Sequence, residues 1–152
     1  MTFKNTMRLT LAALFLLVGF AIGARAATPE EAQAMADKAA ALVKAEGEKA
    51  FPKISDQNGE FVKGDLFVTV IDKQGVVRAN QNSRLVGVNM WEATDPDGVK
   101  ITQLSWTATE KSNTAWITFK FTNQASKKIE PKKTWVHRVG DYVVQSGVYI
   151  TP

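Results

Sequence analysis

A single histidine, no cysteine and four tryptophans bound the chemistry open to this chain. Without cysteine there is no disulfide, no thiol nucleophile, no c-type haem attachment and no lipoprotein cleavage site. The one imidazole, His137, has no serine or cysteine signature around it, so the nucleophile and base of a hydrolase do not come together in the sequence. No group of histidines and carboxylates has metal-ligand spacing. Asp95-x-Asp97-Gly98 echoes a calcium loop, but the ligands required further along are missing. Like Asp65 and Asp72, these aspartates stand where turns favour Asp on conformational grounds. The expectation is a chain that binds rather than catalyses, with no cofactor and no metal.

The aromatics offer the means of binding. Phe67, Trp116 and Trp135 could wall a small apolar pocket with polar tips inside, while Trp91 and Trp106 fall in a segment that could cover it. The same residues suit ordinary core packing. His137 alternates along its run with Trp135 and Val139, which puts all three on one face of a strand. There it is either a hydrogen-bonding ligand of the pocket or a strand histidine satisfied within the fold. Asn80 stands at a strand end, where it could reach a ligand oxygen or cap the turn.

The elements that must position these residues read clearly. Thr28-Pro29-Glu30-Glu31 opens a helix with a capping box and a proline at its first position. Residues 32–46 continue it, with Met35, Ala39, Leu42 and Val43 along a narrow alanine-lined face. A short second helix is expected at 48–54. Strands follow at 66–72 and 76–80, joined as a hairpin through Lys73-Gln74-Gly75. Three more β-rich runs, 115–122, 132–139 and 142–150, are linked by joints too short for a parallel crossover and so form an antiparallel meander. Residues 81–114 cross between the two groups, with a helical stripe at Ile101, Leu104, Ser105 and Ala108. A connection of that length carries structure or function of its own, and it is expected to cover one sheet face above a pocket. The fold class is α+β, a long N-terminal helix on a five-stranded antiparallel sheet.

Ahead of this domain, residues 1–26 have the form of a secretion signal. Lys4 and Arg8 precede the uncharged run 9–23, and Ala24-Arg25-Ala26 supplies a small-x-small cleavage pattern. That run is shorter than the ~20 residues a spanning helix needs, which makes an uncleaved membrane anchor the weaker alternative. Cleavage would remove Lys4, Arg8 and Arg25 but no acid, taking the formal charge from +4 to +1. The basic pairs Lys127-Lys128 and Lys132-Lys133 flank a turn as solvated charge, so no nucleic-acid partner is expected. Export and a cysteine-free core fit a periplasmic domain spanning residues 27–152.

Within that domain, GDLFVTVIDKQGVVRANQNSRLVGVN resembles the first hairpin of single Cache domains, the extracytoplasmic relatives of the PAS fold. Asp72, Gly75, Leu85, Val86, Gly87 and Asn89 match, as do Trp116, Lys132, Trp135 and Ser146-Gly147-Val148-Tyr149 near the end. Asn80-Gln81 replaces a frequent His-Pro pair, Ala115 a glycine and Trp135 a tyrosine, so ligand identity does not carry over. The resemblance implies a PAS-like sheet and a small-molecule sensor, often of short carboxylates, coupled to a membrane sensor kinase or chemoreceptor. It makes Lys132 the candidate partner of an anionic ligand, against a turn lysine in water. Arg84 could close on the same carboxylate from the crossing loop, or remain solvated. The rival reading is a non-catalytic structural or protein-interaction module whose pocket is filled by its own aromatics, dimerising through the alanine-rich helix.

Overall fold

The computed structural model describes residues 25–150. The expected signal segment lies almost wholly outside them. Helix α1, Pro29–Glu46, begins as its sequence dictates: the Thr28 hydroxyl accepts from the Glu31 N–H, and the Glu31 carboxylate accepts from the Thr28 N–H. Its alanine face is buried, with Ala32, Ala36, Ala39, Ala40 and Val43 all against the fold. A 3-10 turn, Gly47–Ala50, leads into the short helix α2, Phe51–Ser55.

The strands are β1 (Val62–Lys63), β2 (Leu66–Asp72), β3 (Val77–Ala79), β4 (Thr114–Thr122), β5 (Ile129–Val139) and β6 (Tyr142–Tyr149). They form one antiparallel sheet in the order β1-β2-β6-β5-β4, with β3 also paired to β2. The two-residue strand β1 was not legible in the sequence. Strand β5 also begins three residues earlier than its β-rich run, and Pro131 lies within it. The proline is tolerated because its backbone faces the end of β6, where its carbonyl accepts from the Ile150 N–H. Its missing donor therefore removes only a terminal rung.

Strand alternation divides the core into two layers. One face carries Val68, Val70 and Val144 onto α1 and α2, beside Phe51, Ile54 and Phe61. The other carries Ile71, Ile117, Phe119, Val136 and Val143 toward helix α3 (Ile101–Ala108) and the preceding loops. Those loops are locked to the hairpin by the residues of the family-like motif. Asp72 accepts from the Gln74 and Val76 N–H groups. Asn89 donates to the Gln74 carbonyl and accepts from the Trp91 N–H, while Met90 N–H donates to the Gly75 carbonyl. Gly75 has φ +86°, and a Cβ there would lie 2.7 Å from that of Trp91, so only glycine allows this approach.

Candidate functional site

Between the second face and its cover lies a cavity of about 90 Å³. Cross-strand register explains why space is left there. Phe119, Lys132 and Tyr149 stand side by side in one row, followed by Ile117, Thr134 and Gly147 in the next. Thr69, Gln145 and Val136 form a third. The small residues Thr134 and Gly147 make the floor of the middle row. A Cβ at Gly147 would come within 2.3 Å of the Thr134 hydroxyl, so the glycine is required by its neighbour. Ile71, Val77, Leu85, Met90, Ile101 and Phe119 provide apolar walls.

The polar groups are few. Lys132 is only 5% exposed. Its ammonium lies over the rings of Phe67 at 4.2 Å, Tyr149 at 4.9 Å and Phe121 at 5.8 Å. No carboxylate among the described residues forms an ion pair with it, and exposed Asp65 acts on it only at longer range. Burial lowers its pKa to about 8, partly opposed by Asp65. The rings stabilise the cation through their quadrupoles but provide no counter-charge. Tyr149 is fixed by donating to the Thr122 carbonyl at 2.9 Å, and burial pushes its own pKa up to about 12, with Asp65 and Glu130 adding to the shift. Thr134, 1% exposed, has a hydroxyl with no hydrogen-bond partner among the described residues. Gln145 is held through its side-chain oxygen by the Ser105 hydroxyl at 2.9 Å.

Of the eight residues singled out from sequence, the structure brings three to this cavity: Phe67, Asn80 and Lys132. Lys132 is buried in strand β5 rather than solvated in a turn. Asn80 lines the wall and also caps the following loop, accepting from the Asn82 N–H at 2.8 Å and donating to the Thr69 hydroxyl at 2.8 Å. Trp116, Trp135 and His137 do not join them and require correction. They lie on the α1 face because residues 135 and 137 alternate with 132 and 134. The two indoles pack on each other, with centroids 5.1 Å apart, instead of enclosing space. Trp135 Nε1 and His137 Nδ1 both meet Asp37 Oδ1 of α1 at 2.8 Å. Arg84 is exposed and does not line the cavity, nor does Trp91, whose backbone serves the hairpin lock. Thr134, Gln145, Gly147 and Phe121 were missed. An isolated glycine inside strand β6 and the period-two relation to Lys132 were the available signals.

The cover is fastened at the outer edge by Asp95. One of its oxygens accepts from the Asp97 and Val99 N–H groups and the other from the Lys120 N–H of β4, all at 2.9 Å. The bond from Lys120, with those from Val99 and Asp97, holds its pKa below the usual carboxylate range despite burial.

The same architecture occurs in known proteins. The chain is similar in fold to a methyl-accepting chemotaxis protein from Vibrio parahaemolyticus RIMD 2210633, with TM-score 0.67, 18% identity and coverage of 80% of this chain and 87% of that one. A Cache chemosensory domain described for carboxylic acid recognition gives TM-score 0.66 at 16% identity, over 80% of this chain and 92% of that one. A periplasmic sensor domain of a chemotaxis protein gives 0.61 at 20% identity, over 80% and 90%. No curated protein matches. The model of the Single Cache domain 2 family matches residues 23–151, and the chain accordingly belongs to that family of sensor domains.

Proposed function

We propose that the cavity binds a short monocarboxylate and that the domain works outside the cytoplasm, passing ligand occupancy to a signalling partner such as a sensor kinase or chemoreceptor. The observation that carries this reading is the Lys132 ammonium, buried in an apolar cavity without an acid beside it. A buried charge is costly unless paired, and a ligand carboxylate would provide the missing partner. The unpartnered Thr134 hydroxyl is a second donor for the same group. The apolar walls suit a short alkyl tail. A volume of about 90 Å³ is several times the ~10–15 Å³ that one water molecule requires, which is room for roughly three to six heavy atoms.

A binding role rather than a catalytic one is favoured by the position of His137, which lies across the sheet from the cavity. A self-filled structural core is disfavoured by the uncompensated ammonium, since an apolar residue at that position would cost less. Titration calorimetry with acetate, propionate and butyrate, set against propionamide, tests the reading. Saturable binding of the acids but not the amide, lost in Lys132→Met, is the expected result. Equal binding of acid and amide, or none of either by folded protein, would end the assignment.

A further inference from the structure

Beside the cavity, between the Asp95 loop and edge strand β4, lies a second recess of about 390 Å³. The two spaces share walls: Met90, Ala93, Ile101 and Phe121 line both. Each shared residue is apolar, and Met90 has the most adaptable side chain of the protein repertoire. Phe121 is also one of the rings around the Lys132 ammonium, so the recess begins within a ring's width of the buried charge. Its outer margin is formed by Pro96, Thr122 and Ile129. Ile129, 56% exposed, is the most exposed large hydrophobic residue among those described.

The charges bordering the recess are already matched. Asp95 accepts three backbone hydrogen bonds, and the Lys120 ammonium pairs with Asp97 at 2.9 Å. The recess therefore offers apolar surface and no charge in need of a partner. A short acid would leave that surface in water, whereas a longer alkyl chain would cover it.

We propose that cavity and recess form one continuous site for a medium-chain alkyl carboxylate, its headgroup at Lys132 and Thr134 and its chain running past Met90 and Phe121 to Ile129. This rests on the carboxylate reading above and extends it to ligand length. The test is a calorimetric series from butyrate through hexanoate and octanoate to decanoate with the purified protein. Burial of each added CH2 should tighten binding roughly fourfold, so octanoate should bind on the order of 200-fold tighter than butyrate. Ile129→Asp, at an exposed position outside the inner cavity, should weaken octanoate about tenfold while leaving butyrate unchanged. Tight butyrate binding with affinity falling as the chain lengthens would overturn the extended site and leave the short-carboxylate reading standing. Octanoate binding that is insensitive to Ile129→Asp, or that persists in Lys132→Met, would also overturn it. Failure of every length in a folded protein would remove the carboxylate reading itself.

Discussion

Replacing Lys132 by Met should make the ligand-free protein more stable, which reverses the usual outcome of altering a buried residue. Burial moves the lysine pKa from 10.5 to about 8. A difference of about 2.5 units corresponds to roughly 3 kcal/mol of charging cost in the folded state. The rings of Phe67, Tyr149 and Phe121 offset part of that cost, by about 2 kcal/mol in a desolvated site. A gain of about 1 kcal/mol at pH 7 is expected for Lys132→Met, near 3–6 °C per kcal/mol in a domain of this size. The pH dependence fixes the cause. The folded pKa is lower than the unfolded one, so between pH 8 and 10.5 the unfolded chain binds more protons and wild-type stability rises with pH. The advantage of the variant should thus be full below pH 8 and fade by about pH 10.5. Urea denaturation of both proteins at pH 7, 9 and 10.5 measures it. A variant less stable than wild type at pH 7, or a difference that does not change with pH, would refute the claim that the ammonium is held at a cost. Adding ligand should invert the order, because at ~100 times its Kd it stabilises only wild type, by about 2.7 kcal/mol.

Two further perturbations probe the architecture around this charge. Gly147→Ala would place a Cβ 2.3 Å from the Thr134 hydroxyl and 2.6 Å from the Lys133 carbonyl. It should cost about 1–3 kcal/mol in thermal unfolding and abolish carboxylate binding by displacing the cavity floor. Asp95→Ala strands three N–H groups and unfastens the cover, for an expected loss of about 1–3 kcal/mol. Limited proteolysis should then cut within residues 94–99 while the sheet survives, and an unchanged digestion pattern would mean the cover is held elsewhere. Since the folded Asp95 pKa is depressed, its contribution is present above the ordinary carboxylate pKa and is lost as pH falls through the folded value.

Much of the scaffold was legible. The capping box at Thr28 and Glu31 set the start of α1, and the bounds of β2 and the antiparallel order of the meander followed from β-rich runs and short joints, the first three residues of β5 excepted. The site was legible only in part, for an identifiable reason. Lys132 and Trp135 are three residues apart in mid-strand, so period-two geometry turns them to opposite faces, and Trp135 points to Asp37 of α1 instead of the cavity. Trp116 and Phe119 are related in the same way across β4, and only the phenylalanine lines the cavity. The depth of Lys132 was hidden by Pro131, which normally argues against a paired strand and made the lysine look like part of a turn. Arg84 and Trp91 lie in irregular backbone, where no period links sequence position to direction.

The carboxylate of Asp95 has a consequence beyond fastening the cover. Strand β4 ends the sheet, and an open strand edge is a template on which another polypeptide can add and aggregate. By alternation the outward-facing backbone groups of β4 belong to residues 114, 116, 118, 120 and 122. The Lys120 N–H is taken by Asp95, the Thr114 carbonyl accepts from the Ser112 hydroxyl at 2.6 Å, and the Thr122 carbonyl accepts from the Tyr149 hydroxyl at 2.9 Å. Trp116 and Thr118 lie between these occupied positions, which shortens the open stretch of edge that an incoming strand could pair with. The loop that roofs the cavity thus also keeps one molecule's sheet from continuing into the next, so releasing Asp95 would expose the protein to fibre formation.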